Sequence, residues 1–120
     1  MRLLTYRTYH WIFWMLRFII HYGVHFAVPF LIGFLCFKKD RLKISLILLA
    51  GIVIDIDHLW ANPIFDPKRC SINFHLLHSY WAILAYCILP FFRPTRLIGL
   101  ALIIHIIADM LDCLMIFLES

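Results

Sequence analysis

The sequence predicts an all-α protein, a four-helix transmembrane bundle with up-down-up-down topology. Hydrophobic residues make up 64% of its 120 residues and charged residues 15%, and the mean hydropathy is +0.91. Too few polar residues remain to cover a soluble globule of this length. The apolar residues also fall in continuous runs instead of alternating with polar ones, which favours helices over a transmembrane barrel.

Four apolar runs define the predicted helices, and each approaches or exceeds the roughly 20 residues that a helix needs to cross a bilayer. In chain order they are Trp11 to Phe37, Ile44 to Ala61, His75 to Phe92 and Leu97 to Leu118. The connections are short, so we expect residues 15–120 to form a single transmembrane domain. Segment 1–14 is basic and aromatic without a small-residue cleavage site, which indicates an interfacial extension and not a signal peptide.

The distribution of lysine and arginine predicts an orientation. Six of these residues lie in the first and third loops, against four in the N-terminal segment and the second loop. The positive-inside rule then places the first and third loops in the cytoplasm of a bacterial inner membrane, with both termini outside. Cys70 and Cys113 both fall on the outer side, where an oxidising compartment would allow them to form a disulfide.

Ionisable residues at membrane depth point to a functional site. Asp55-Ile56-Asp57-His58 ends the second apolar run, although each ionised carboxylate near the bilayer centre costs about 2.5–3.5 kcal/mol. Measured from the basic loops at about 1.5 Å per residue, ten His and Asp side chains lie about 14–27 Å deep. They are His21, His25, Asp55, Asp57, His58, His75, His78, His105, Asp109 and Asp112. This layer should open on the side of the second loop, the periplasmic side in the predicted orientation.

Helical spacing groups these side chains on shared faces, because nearly all lie three or four residues apart within their helix. Asp57 alone points away from Asp55 and His58, either as a ligand of a second metal or as the partner that orients a neighbouring histidine. Imidazole and carboxylate without cysteine suit zinc, and also manganese or iron. So many ligands exceed the needs of one tetrahedral ion, which predicts two divalent ions. The alternative is that the groups pair with one another and only hold the helices together.

Three motifs resemble the YdjM-like membrane-bound metal-dependent hydrolases of bacteria. They are the DxDH motif of Asp55, Asp57 and His58, the segment of His75, His78 and Ser79, and the last-helix pattern of Gly99, His105 and Asp109. The stretch from Met15 to Cys113 also resembles a small uncharacterised family of four-helix bacterial membrane proteins related to them. In the larger family the two histidines of the second motif lie farther apart than they do here.

This resemblance implies hydrolysis of a phosphoester at a divalent metal. The ligands it implies are Asp55, Asp57, His58, His78, His105 and Asp109, with His21, His25 and His75 completing the site. The expected substrate is a lipid head group or a prenyl phosphate, attacked by a metal-activated water. Asp57 or Asp112 would accept the proton of that water, and Lys68 and Arg69 would attract the anion. No nucleic-acid partner is expected, and a homo-oligomer is compatible with the sequence.

Two other functional classes stay open at this point. Histidine pairs at these spacings in membrane helices are also typical of di-iron desaturases and hydroxylases, which are oxidoreductases. A non-enzymatic metal or proton carrier, or a bis-histidine haem protein, would use the cluster as a pathway or a ligand set. A carrier needs polar positions toward both membrane faces, whereas the segments Ile44 to Leu49 and Leu97 to Ile104 are almost purely apolar.

Overall fold

The computed structural model describes residues 2–120, with side chains from Thr5 onward, and it contains four helical rods. The first rod is α1 (Arg2–Tyr22), a π-helical turn (Gly23–Ala27) and α2 (Val28–Cys36). The second is α3 (Arg41–Leu49), which continues as a 3-10 helix (Ala50–Trp60). The third is α4 (Tyr80–Ile88) with a 3-10 turn (Leu89–Phe91), and the fourth is α5 (Arg96–Glu119). No strand occurs in residues 2–120, so the predicted all-α four-helix fold is confirmed.

The observed helices differ from the predicted runs at two ends. The first rod begins at Arg2, not Trp11, and passes without a break through the predicted boundary between residues 14 and 15. The third rod begins at Tyr80, not His75, because the Ser79 hydroxyl caps it by accepting a hydrogen bond from the amide of Ala82 at 3.3 Å. Met1 and the side chains of residues 2–4 lie outside the described part of the chain. The charge of Arg2, which contributes to the predicted orientation, is among them.

Two helical stretches are long and apolar enough to cross a membrane. Thr5–Cys36 has 32 residues and Arg93–Glu119 has 27, whereas Tyr80–Phe91 is apolar but shorter. The surface of these helices carries large exposed apolar side chains such as Leu35 and Phe117. Both observations point to association with a membrane.

Small residues allow the rods to approach one another closely. An added Cβ at Gly51 would overlap the backbone carbonyl of Ala101, and one at Gly33 would overlap the side chain of Ser45. Close backbone approach through small residues is a common way for membrane helices to pack. Leu48 and Ala101 belong to the apolar core cluster, which lies toward the ends of the rods that carry the basic loops.

A disulfide attaches the connection between the second and third rods to α5. Cys70 and Cys113 are bonded, with their Cα atoms 4.8 Å apart, so the predicted pairing is confirmed. The bond closes a loop with a sequence separation of 43 residues, and it stabilises the fold by about 4 kcal/mol in the chain-entropy description. It holds the neighbouring Ser71 beside the 3-10 helix, where the Ser71 hydroxyl lies 3.2 Å from His58 Nε2.

Candidate metal centre

Four side chains that can ligate a metal converge from the second rod, the fourth rod and the short 3-10 turn Leu76–His78 that precedes the third rod. We call them the closed group: Asp55, His78, His105 and Asp109. Asp109 Oδ2 lies 2.9 Å from His78 Nε2 and 3.2 Å from His105 Nε2. Asp55 Oδ1 lies 3.4 Å and 3.1 Å from the same two nitrogens, which are 3.3 Å apart. Ligands about 2.0–2.1 Å from a tetrahedral zinc ion are about 3.3–3.4 Å from one another. The spacing of the closed group therefore fits one small divalent cation.

Hydrogen bonds made by a neutral His78 do not account for the closed group. Asp57 Oδ2 lies 3.0 Å from His78 Nδ1, and in the neutral imidazole a proton in that bond leaves a lone pair on His78 Nε2. This lone pair faces two carboxylate oxygens that cannot donate a proton to it when ionised. Asp109 Oδ2 is buried and has no aligned hydrogen-bond partner among the described residues, although two imidazole nitrogens lie close to it. Electron-rich atoms in this arrangement form a donor set that could hold a metal ion.

A second set, the open group, consists of His21, His25 and Asp109. Asp109 contributes its other oxygen here, because Oδ1 lies 3.3 Å from His25 Nε2 and 4.0 Å from His21 Nδ1. Both of these nitrogens are buried without a hydrogen-bond partner in the described part of the chain. Asp109 thus faces both groups with one carboxylate, as a bridging ligand does in two-metal sites.

The two groups differ in their access to a cavity of about 450 Å³. His21, His25 and Asp109 all line the cavity, whereas His78 and His105 do not. The His21 side chain is 24% exposed, against 0% for His78 and 2% for His105. The open group therefore offers three protein ligands and room for a water, and the closed group offers four ligands and little access.

A third set, Asp57, His58 and His75, lies behind the closed group. Asp57 is 2% exposed and accepts a hydrogen bond from the amide of Leu77 at 2.7 Å, besides its contacts with His78 and with His58 Nδ1 at 3.2 Å. The rings of His58 and His75 stack with centroids 3.9 Å apart. Burial, followed by the proximity of His58, lowers the pKa of His75, which lies in the connection outside the long helices. Asp57 is thus placed to orient imidazoles, one of the two roles anticipated for it.

Asp112 has a partner that the sequence reasoning missed. Arg17 contacts it through two nitrogens, with Nε 2.6 Å from Oδ1 and Nη2 2.9 Å from Oδ2. Both oxygens of Asp112 are therefore occupied by charge-assisted hydrogen bonds. The sequence spacing could have placed Arg17 at the site, because Arg17, His21 and His25 follow one another at four-residue intervals on one helix face.

The two basic residues predicted to attract an anion occupy different positions. Arg69 lines the cavity, where its Nη2 donates to the carbonyls of Pro63 and Ile64 at 2.8 and 3.0 Å and its guanidinium lies over the ring of Phe74. Lys68 is exposed and does not belong to the cavity lining. The structure therefore brings Arg69, but not Lys68, to the candidate site.

Comparison with known proteins identifies the family of this chain and no activity. No curated protein matches it, and no solved structure does. A family model described as a family of unknown function, DUF6122, matches residues 15–116, which include every candidate ligand named above. The chain belongs to this family, DUF6122.

Proposed function

We propose that this protein is a membrane-embedded, metal-dependent hydrolase that acts on a phosphoester. The observation that carries the proposal is the arrangement of Asp109 between a closed and an open group of ligands. A closed four-ligand site is typical of a structural ion, and a three-ligand site beside a cavity is typical of an ion that activates water. The resemblance of the DxDH motif to the YdjM-like hydrolases agrees with this assignment.

Two divalent ions, for which zinc is the first candidate, would have different roles in the two groups. The ion of the closed group would fix Asp109, and the ion of the open group would hold the water and lower its pKa toward neutrality. Asp112 also lines the cavity, but both of its oxygens accept hydrogen bonds from Arg17, so it could accept a proton from the water only when that pair opens. Asp57 would act by orienting His78, as carboxylate partners of metal-bound histidines do.

The surroundings of the cavity support a substrate that is anchored in the bilayer. Its lining combines the aromatic side chains of Trp14, Phe18 and Phe65 with the polar residues of the metal centre. Trp14 and Phe18 lie on α1, within the longer of the two stretches that can cross a membrane. A phospholipid head group or a prenyl phosphate fits this combination of an apolar wall and a metal site better than a soluble phosphoester does.

The test is hydrolysis by full-length protein purified in detergent and loaded with zinc, manganese or iron. We expect phosphate release from phospholipids or polyprenyl phosphates with at least one metal. His25→Ala should abolish turnover and lower the metal content by about one ion per chain. Asp40→Asn changes an exposed acid in the first loop and should behave as the wild type. A fully metal-loaded protein that cleaves no phosphoester would contradict the proposal.

The same preparations separate the alternative functions. A bridging carboxylate with histidine ligands also occurs in di-iron proteins, and co-purifying iron with oxygen consumption would favour an oxidoreductase. A Soret band would indicate haem. A carrier requires a polar route through the protein, and the apolar cluster that contains Leu48, Ala101 and Ile104 supports a site with access from one side.

We further propose that the second connection faces the periplasm of a bacterial inner membrane. The Cys70–Cys113 disulfide supports this side, because such bonds persist in oxidising compartments. In intact cells, a membrane-impermeant thiol reagent should label Cys70 only after reduction. Cys70→Ser serves as the control that identifies the labelled residue. Labelling of Cys70 that appears only after cell lysis would show the opposite orientation, with the second connection in the cytoplasm.

A further inference from the structure

Arg17 is a cation in the cavity wall that the proposed hydrolytic chemistry does not use. Its side chain is 8% exposed, it lines the cavity, and it packs beside Trp14, whose ring centroid lies 5.2 Å from the guanidinium carbon. The two hydrogen bonds to Asp112 use Nε and Nη2. Since a guanidinium carries five N–H donors, Nη1 and the second hydrogen of Nη2 are available to a further acceptor.

The position of Arg17 relative to the open group is set by Asp112. One oxygen, Asp112 Oδ1, lies 2.6 Å from Arg17 Nε and 4.0 Å from His21 Nδ1. Arg17 and His21 are also one helical turn apart on α1 and line the same cavity. An acceptor held by an ion in the open group would therefore lie close to the guanidinium.

Charge indicates what kind of acceptor the cavity takes. Four carboxylates line it, from Asp55, Asp66, Asp109 and Asp112, against the two guanidinium groups of Arg17 and Arg69. With neutral histidines the lining is net negative by two charges, and two divalent ions change this to net positive by two. The loaded cavity therefore attracts an anion, and the empty one repels it.

We propose that Arg17 binds the phosphate group of the ligand beside the open-group ion, and that the ligand is an amphiphile with its apolar part against Trp14, Phe18 and Phe65. This inference rests on the proposed metal centre and extends the proposed function to its substrate class. Arginine suits the role because its planar donors match two phosphate oxygens at once. Asp112 then holds the guanidinium in place and competes for it.

The experiment measures binding and not turnover. Metal-loaded, full-length protein in a neutral detergent is titrated calorimetrically with inorganic phosphate and, separately, with dodecyl phosphate, and bound metal is counted for each variant. Arg17→Gln should weaken the binding of both ligands about tenfold or more and leave the metal content unchanged. Arg7→Gln removes the same charge from an exposed position on the same helix and should bind as the wild type does. Metal-free protein should bind neither ligand.

Two further variants separate anion binding from a structural role of the ion pair. Asp112→Asn releases the guanidinium and should tighten phosphate binding. If the Arg17–Asp112 pair only joins α1 to α5, Asp112→Asn should instead weaken phosphate binding as Arg17→Gln does. The double variant Arg17→Gln, Asp112→Asn leaves no unpaired charge and should still bind phosphate weakly. If Arg17→Gln does not fold, the double variant decides the question.

Each outcome bears on a definite part of the inference. Phosphate affinity within twofold of the wild type in the folded Arg17 variants would overturn it. Equal affinities for inorganic phosphate and dodecyl phosphate would contradict an amphiphilic ligand. They would indicate that the cavity binds free phosphate. Arg17-dependent phosphate binding without any phosphoester hydrolysis would contradict the proposed function alone, since binding is measured independently of turnover.

Discussion

Replacing Asp109 by asparagine is expected to remove both of the proposed metal ions from the protein. Oδ2 of this carboxylate faces His78 and His105 of the closed group, and Oδ1 faces His25 of the open group. A neutral carboxamide is a poor ligand on either side, so both affinities should fall by more than the roughly 10–100-fold typical of losing an outer-shell partner. Equilibrium dialysis against buffered free zinc, followed by elemental analysis, measures the loss.

Two control variants test whether the loss of both ions is due to a bridging role of Asp109. His25→Ala should lose only the ion of the open group, because His25 Nε2 faces Oδ1 of Asp109, whereas the closed group uses Oδ2. Asp40→Asn should keep both ions; its backbone has a φ of 55°, which asparagine adopts readily. An Asp109→Asn protein that retains either ion at wild-type affinity would contradict the bridge.

The second large effect is expected at Asp57, which does not belong to the lining of the cavity. Asp57→Asn should lower the metal affinity of the closed group by roughly 10–100-fold, because the carboxylate fixes the His78 tautomer that presents Nε2 to the ion. The metal titration should be combined with ¹⁵N NMR of the imidazole nitrogens, which should show protonated Nδ1 at His78 in the wild type and a mixture in the variant.

Tyr86→Phe is the matched control for this effect. The Tyr86 hydroxyl donates to the carbonyl of Leu77 at 3.0 Å, so its loss loosens the same turn without touching the imidazole of His78. We expect a change in metal affinity of less than about threefold, as for a neutral hydrogen bond. Equal losses in the two variants would show that Asp57 acts only by holding the Leu77 backbone.

The pairs within single helices were predictable from the sequence. His105 and Asp109 are four residues apart and lie 3.2 Å from each other at their ligand atoms, because an α-helix places such residues on one face. The disulfide was also predictable, because the order of the predicted helices brings Cys70 and Cys113 to the same end of the bundle. Both arguments depend only on helical geometry and on the order of the segments.

What the sequence did not reveal depends on contacts between rods and on departures from α-helical geometry. Arg17 has no role in the site that the sequence predicts, although a buried arginine requires an acidic partner and Asp112 lies one turn beyond Asp109. The 3-10 helix Ala50–Trp60 was also not anticipated. With about three residues per turn it superimposes Asp55 and His58, whose atoms lie 3.4 Å apart.

The π-helical turn Gly23–Ala27 has a consequence for the phase of the first rod. The amide of Val28 donates to the carbonyl of Gly23, five residues back, so the rod takes up one extra residue, or about 100° of rotation. In a straight α-helix, His21 and Gly33 would point about 120° apart, and the extra residue reduces this difference to about 20°. The same face of the first rod can therefore carry a candidate metal ligand, His21, at one depth and a close helix contact, Gly33, at another. Deleting a single residue in the turn should therefore convert it to an ordinary α-helical turn and keep the two positions aligned, because eleven steps of about 100° also leave a difference of about 20°.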